Sequence, residues 1–214
     1  MKINYRGFMR EMIQRNPVTI SPDASLLDAR HLVQEKGIRH LPVVDENKKV
    51  VGIVTERDIQ AAAPHDSTRK INVSAFMTPK DKLIWITPDT LIEEAVQLLH
   101  DHKIRCLPVL EGEELYGIFT ETDALSHLVD VFGLKQKGTR LTVALEDKPG
   151  TLVGALEVIK KHKVNVISVV SPSFIVEGKR VAAIRIETEK YEAIVRDLGK
   201  AGCSVLSVDK WPSL

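Results

Sequence analysis

Apolar residues recur at helical spacing in two stretches of the first half of the chain: Leu26, Ala29 and Val33, then Ile92, Ala95, Val96 and Leu99. Each set predicts an amphipathic helix with one face turned to a core. Ser25-x-x-Asp28 and Thr90-x-x-Glu93 stand where such helices begin and read as capping boxes. Before each helix, residues 18–20 and 83–86 read as a short strand ending in a Pro-containing turn. After each helix come two strands, "LPVVD" then "VVGIVT", and their counterparts, with the polar turn "ENKK" between the first pair. A further helix opens at Thr-Glu-x-Asp. The order β-α-β-β-α is therefore spelled twice.

The two copies share residues as well as pattern. Ile38/Ile104, Arg39/Arg105, Leu41/Leu107, Pro42/Pro108 and Val43/Val109 are identical pairs, and so are Gly52/Gly117, Ile53/Ile118, Thr55/Thr120, Glu56/Glu121 and Asp58/Asp123. The offset changes by one residue inside the turn, which a surface loop tolerates. Upstream, "TISPDASLLDA" faces "WITPDTLIEEA". One such unit leaves an apolar sheet face uncovered, so two units are expected to pack sheet to sheet. Repeat 1 is placed at residues 1–70 and repeat 2 at residues 71–133. Pro42 and Pro108 read as architectural, setting strand positions.

The last third breaks the repeat. "GLKQKG" is rich in Gly and Lys, and residues 134–139 read as a linker. Beyond it, in residues 140–214, "LTVALED" alternates, and Leu152, Leu156 and Ile159 recur at helical spacing. "VNVISVVSPSFIV" and "RVAAIRIET" flank the turn "EGK", Tyr191, Ile194, Val195 and Leu198 form a second helical face, and "SVLSVDKW" closes as a strand. The sum is β-α-β-β-α-β, the ferredoxin-like pattern, and the fold class is α+β.

Composition narrows the class. Of 214 residues, 43% are apolar and 28% charged, enough for a soluble globular core. The net charge of +1 advertises neither nucleic acid nor an acidic membrane. No apolar stretch approaches the ~20 residues of a membrane span. The first residues lack the apolar run of a signal peptide. With only Cys106 and Cys203 present, a disulfide scaffold is not expected, and the chain reads as cytoplasmic.

The duplicated "IRHLPVVD…GIVTERD" and "IRCLPVLE…GIFTETD" resemble a tandem pair of cystathionine-β-synthase (CBS) domains, the Bateman module. "VALEDKPGTLVGALEVIKKHKVNVISV" resembles an ACT domain, a small ligand-sensing module. The combination and length together resemble the acetoin-utilisation family of Gram-positive bacteria. The CBS resemblance implies binding of AMP, ADP, ATP or S-adenosylmethionine as a regulatory ligand, with no cofactor required. Position by position, it implies a first site of Ile20, Ile38, Arg39, His40, Thr55, Arg57 and Asp58, and a second of Ile86, Ile104, Arg105, Thr120, Thr122 and Asp123. The chemistry is consistent. A helix start favours an anion, ionised Asp58 accepts from two hydroxyls of a ribose diol, Arg39 and His40 offer cations, and Ile20, Ile38 and Pro42 offer apolar walls. Thr-x-x-Asp also has a purely structural use as an N-cap, and Arg39 and Arg105 as surface ion-pair residues.

The copies differ where charge matters. His40 faces Cys106 and Arg57 faces Thr122. The first site is thus expected to favour phosphorylated ligands, and the second a nucleoside-like ligand, weak binding or none. The ACT resemblance implies an amino-acid site at the loop Asp147, Lys148, Pro149, Gly150, Thr151 and Leu152, assisted by Asn165, with dimerisation alone as the alternative.

Enzyme chemistry finds no support in motifs: there is no G-x-G-x-x-G, Walker A or G-x-S-x-G. His100 and His102 at i, i+2 make a poor metal pair on a helix, and His31, His65, His127 and His162 stand alone. Cys106 is expected to pack in a pocket wall and Cys203 in a core, while Glu56 and Glu121 suit the first turns of helices. The expectation is a non-enzymatic regulatory sensor, homodimeric through both modules. By the family resemblance it acts on a protein partner in acetoin, butanediol or acetyl-CoA metabolism. A ligand-free dimeric scaffold, or an enzyme with unrecognised nucleotide chemistry, are the alternatives.

Overall fold

Leu26, Ala29 and Val33 do face inward on one helix, as do Ile92, Ala95 and Leu99 on another, whereas Val96 is 38% exposed. The computed structural model describes residues 7–62, 71–173 and 175–211, so His65, Phe174 and the boundary at residue 70 lie outside the described residues. Two compact units result, Met1–Leu125 and Ser126–Leu214.

In the first unit the elements are α1 (Gly7–Met12), β1 (Gln14–Arg15), α2 (Leu26–Lys36), β2 (His40–Val44), β3 (Val50–Thr55), α3 (Glu56–Ala61), β4 (Thr78–Pro79), α4 (Ile92–His102), β5 (Cys106–Glu111), β6 (Glu114–Thr120) and the start of α5 (Glu121–Val131). The Ser25/Asp28 capping box is present in full: Asp28 N–H donates to Ser25 Oγ at 3.1 Å and Ser25 N–H to Asp28 Oδ2 at 3.2 Å. Thr90 does not cap α4. Its Oγ1 accepts from Thr87 N–H at 3.0 Å, closing the preceding turn, and the helix starts one residue later than the spacing predicts, behind Leu91.

The strands expected at 18–20 and 83–86 reduce to single parallel bridges, Ile20 with Val43 and Ile86 with Val109. Ile20 N–H donates to Pro42 O at 3.1 Å, and Ile86 N–H to Pro108 O at 3.0 Å. Both prolines lie on outer strands of their sheets, β2-β3-β4 and β1-β6-β5, where a missing N–H disturbs least.

The sheets reveal an exchange. β1, in the lead-in of repeat 1, pairs with β6 of repeat 2. β4, which precedes the main body of repeat 2, pairs with β3 of repeat 1. The cores follow suit. Met9 and Ile13 pack with Ile92, Leu107 and Phe119 of repeat 2, while Val73 and Met77 pack with Leu26, Leu41 and Val54 of repeat 1. The two bodies meet sheet to sheet, as expected, through Ile53, Cys106 and Ile118, with Leu83 against them. Val50 N–H also donates to Glu113 O across the seam at 3.2 Å.

In the second unit β7 (Gly138–Glu146), α6 (Thr151–Lys161), β8 (Val166–Val170), β9 (Ile175–Val176), β10 (Lys179–Ile186), α7 (Glu192–Lys200) and β11 (Ser204–Trp211) make the expected ferredoxin-like order. The sheet runs β11-β7-β10-β8, with β9 on the end of β10. Leu141, Val143, Ile184 and Ile186 pack under Ile159, Ile194 and Leu198 of the helices. β7 already begins at Gly138, two residues inside the expected linker.

The exchange depends on close backbone approach. A Cβ at Gly117 would stand 2.3 Å from Ile13 Cγ2 and 2.6 Å from Gln14 O; at Gly52 it would stand 2.7 Å from Met77 Sδ and from Thr78 O. Gly117→Ala is therefore expected to lower stability by about 1–3 kcal/mol, as overpacked sites do. Chemical denaturation measures this, with Gly112→Ala, where the strain is one of φ alone, as comparison.

Candidate functional site

Each Thr-x-x-Asp sits at the end of an inner strand and opens a helix. Thr55 is the N-cap of α3. Its Oγ1 donates to Asp58 Oδ2 at 2.6 Å, its N–H donates to the same oxygen at 2.9 Å, and Asp58 N–H donates back to Thr55 Oγ1 at 3.3 Å. Thr120 and Asp123 repeat this at 2.7, 2.8 and 3.4 Å. The structural use of the motif is thus realised in both copies. It leaves Asp58 Oδ1 without a partner among the described residues.

The second copy differs. Gln14 Nε2 donates to Asp123 Oδ1 at 3.0 Å and lies 3.2 Å from Oδ2. Gln14 stands opposite Ile118 on β6, as Thr78 stands opposite Ile53 on β3. Thr78 is too short to make the same contact. The exchange therefore places a competing donor on one Asp and none on the other. Sequence reading missed Gln14, because nothing local says that residue 14 closes the other repeat.

Two cavities lie at the seam. One, of about 430 Å³, is lined by Thr55 and Arg57 of repeat 1, by Leu83 and Ile84 of the connecting segment, and by Ile104 and Arg105 of repeat 2. The other, of about 370 Å³, is lined by Thr120 and Thr122 of repeat 2, by Gln14, and by Ile38 and Arg39 of repeat 1. The apolar walls are thus traded relative to the expected grouping. Ile104 serves the Thr55 cavity and Ile38 the Thr120 cavity. Ile20 and Ile86 line neither cavity. They are buried in the two cores at 8% and 3% exposure. Arg39, His40 and Arg105 line both cavities.

Arg39 and Arg105 are not idle cations. Arg39 Nε lies 3.9 Å from Glu56 Oε2, and Arg105 Nε lies 3.7 Å from Glu121 Oε2, all largely exposed. Such pairs are weak, so an anion can redirect the guanidinium. The charge expected from His40 is absent at neutral pH. Burial, then Arg39, push its pKa below the ordinary value, with Arg105 in the same sense and Glu121 and Asp58 opposing. Cys106, its counterpart, lines the Thr55 cavity, and burial with Asp123 pushes its pKa up to about 12, so it remains a thiol. The asymmetry read from the sequence is sharper here. Among the described residues, the Thr55 cavity gathers Arg39, Arg57, Lys82, Lys103 and Arg105 against Glu56, and the Thr120 cavity only Arg39 and Arg105 against Glu121.

In the second unit the loop before α6 is built as expected up to a point. Gly150, at φ 88°, is the helix cap, and Thr151 Oγ1 donates to Glu146 O at 2.9 Å and Lys148 O at 3.0 Å. Asp147 is held by Arg180, Nε at 2.8 Å and Nη2 at 2.7 Å, and Lys148 by Glu146 at 2.8 Å. Asn165 does not join Asp147, Pro149 and Leu152. α6 carries the chain back along the sheet, so Asn165 lies at the other end, where its Nδ2 donates to Glu187 Oε2 at 3.0 Å. Asp147 pairs with Arg180 near the start of β10 and Asn165 sits past its end, ~20 Å away at strand rise.

Among the described residues, no group of three or more His, Cys, Asp or Glu is placed to hold a metal ion, and no helix is long and apolar enough to cross a membrane.

A CBS-domain family model matches residues 9–65 and 73–130, and a TTHA0829-like ACT-domain model matches residues 137–209. Among curated relatives, an uncharacterised 33.4 kDa protein of the Thermofilum pendens ribosomal RNA operon is 30% identical over 174 residues, 74% of this chain and 57% of that protein. The inosine-5'-monophosphate dehydrogenase of Methanocaldococcus jannaschii is 31% identical over 216 residues, 94% of this chain and 42% of the enzyme. That of Aquifex aeolicus is 36% identical over 109 residues, 50% and 22%. The chain thus spans between 22% and 57% of the length of these relatives.

Among solved structures, a Vibrio cholerae protein provisionally named for acetoin utilization (AcuB) superposes with TM-score 0.53 at 31% identity, over 59% of this chain and 93% of that one. CBSX2 in complex with AMP gives TM-score 0.52 at 28%, over 57% and 96%. The CBS pair of MJ0100 with 5'-methylthioadenosine and S-adenosyl-L-methionine gives 0.50 at 28%, over 60% and 97%.

Two measurements test the site as built. Gln14→Ala frees Asp123, so calorimetric affinity of the second cavity for adenosine should rise by up to about tenfold, the worth of one hydrogen bond to a charged group. A phosphate beside His40 favours its protonated form, so the bound pKa exceeds the depressed free value. AMP affinity should then increase as pH falls from about 8 to about 6, with proton uptake visible in buffers of different ionisation heat. His40→Gln should flatten that dependence to the part owed to the phosphate itself.

Proposed function

Because the chain belongs to the CBS-domain family and carries a TTHA0829-like ACT domain behind its CBS pair, we propose that it is a non-enzymatic sensor that binds an adenosine ligand at the seam of the pair and regulates a protein partner. One observation carries the reading. The cavity lined by Thr55, Glu56 and Arg57 gathers, among the described residues, five cationic side chains against one carboxylate, with apolar Leu83, Ile84 and Ile104 beside them, while Asp58 stands behind Thr55 as its capping partner. Such a wall suits a purine, and the cations suit its phosphate. AMP, S-adenosylmethionine and methylthioadenosine in the similar structures support adenosine as the common element. Cys106, held as a thiol, is no nucleophile there.

The dehydrogenases that share this sequence are more than twice the length matched, and the similarity supports a regulatory module rather than their chemistry. In our reading the partner belongs to acetoin or acetyl-CoA metabolism, supported by the AcuB-named structure alone. Pairing of two chains is supported by the exposed Leu125, Leu128 and Val131 on α5 and by the outer strand β8 with exposed Val166 and Val169. Regulation requires that the ligand bind two arrangements of the pair unequally.

The test is a thermal-shift and calorimetry panel of AMP, ADP, ATP, adenosine and S-adenosylmethionine. A ligand at 100 times its dissociation constant should stabilise the chain by about 2.7 kcal/mol. Asp58→Ala should weaken AMP by about tenfold or more, and Asp123→Ala should weaken it less, because Gln14 already occupies that carboxylate. A flat response to every nucleotide would leave the pair as a scaffold.

A further inference from the structure

Ala182, Ile184 and Ile186 of β10 are fully buried toward the helices, so Arg185 between them projects from the opposite face of the sheet. On that face it is no surface residue. Arg185 is only 5% exposed, and its Nε and Nη2 are both covered and without a hydrogen-bond partner. The indole of Trp211 lies over its guanidinium carbon at 5.2 Å. Trp211 Nε1 donates to Leu134 O at 2.8 Å, and Ser168 Oγ donates to Phe132 O at 3.0 Å, which lays residues 132–134 along the same face.

Among the described residues, the neighbours do not supply a counter-charge. Strand register places Ser168 on one side of Arg185 and Arg140 on the other, with Asp209 one strand further. Asp209 is engaged by Arg140 Nη1 at 3.4 Å and by Ser207 Oγ at 3.0 Å. The same Arg140 Nη1 also donates to Thr142 Oγ1 at 2.9 Å. The carboxylate of Asp209 thus serves Arg140 and not Arg185. An arginine does not deprotonate to escape burial, and a buried charge without a partner is strongly destabilising.

The unpaired atoms identify what fits. Nε and Nη2 form one straight edge of the guanidinium, whose two parallel N–H groups match the two oxygens of a carboxylate. We propose that Arg185 is the floor of a binding site for a small carboxylate on the face of this sheet turned away from the helices, with Trp211 as its displaceable cover and Arg140 adding positive potential. The site lies at the Arg140 end of β7, and the Asp147–Leu152 loop follows the other end, so the two are distinct. The proposal does not rest on the nucleotide reading, which concerns the other unit.

Trp85 and Trp211 are the chain's two tryptophans, so Trp85→Phe leaves Trp211 as the sole reporter. The experiment titrates this variant with sodium acetate and sodium formate against sodium chloride at constant ionic strength, reading tryptophan emission and melting temperature. A saturable change with the carboxylates and not with chloride is expected. Adding Arg185→Met should weaken it at least about tenfold, while melting no lower than the parent in carboxylate-free buffer, since an apolar isostere removes the unpaired charge. Equal response to chloride, no saturation, or a response undiminished in Arg185→Met overturns the proposal. A shift in emission on raising protein concentration without carboxylate also overturns it, in favour of an acidic group from a second copy.

Discussion

Two glycines let two backbones touch. Gly52 and Gly117 occupy the same place in the two repeats, and each receives the segment that leads into the other: Met77 and Thr78 at Gly52, Ile13 and Gln14 at Gly117. Neither repeat therefore completes its core from its own residues. Phe119 and Leu107 are closed by Met9 and Ile13, and Leu26 and Val54 by Val73 and Met77. The reciprocal exchange binds the pair more tightly than a face-to-face contact of Ile53, Cys106 and Ile118 would, since burial of whole side chains in each core is at stake. It also makes the seam a fixed place, and the cavities lie along it.

The exchange is also the source of asymmetry. The repeats supply equivalent Thr-Asp caps, but what approaches each cap comes from the lead-in of the other repeat. Thr78 is short and Gln14 is long, so among the described residues one carboxylate keeps an oxygen open and the other is already bonded. Arg57 against Thr122, with Lys82 and Lys103 reaching only the first cavity, adds a difference of charge to that difference of access. Two sites of common descent thus differ mainly through residues outside the duplicated phrase.

The second unit manages charge differently. Its helix-covered face carries the apolar cluster of Leu141, Val143, Ile184 and Ile186, and its other face carries the row Ser168, Arg185, Arg140, Asp209, crossed by residues 132–134 and Trp211. Burying a guanidinium in such a row is unfavourable unless something answers it, and cation–π contact with Trp211 answers only one face of its plane.

Much of this architecture is legible in the chain, because local patterns are local physics. The spacing of Leu26, Ala29 and Val33, the Ser25/Asp28 box and the β-α-β-β-α-β order of the last third concern neighbours a few residues apart, and they appear in the structure as read. The doubled phrase likewise implied two related pockets. What the chain could not disclose is which distant segment completes each one. Pairing of residue 14 with residue 118, the trade of Ile38 and Ile104 between cavities, and the separation of Asn165 from the Asp147 loop all depend on chain path. His40 reads as a cation by type, yet tertiary burial beside Arg39 makes it neutral. Residue identity sets what a group can do, while its neighbours across the fold set its solvation and its partners.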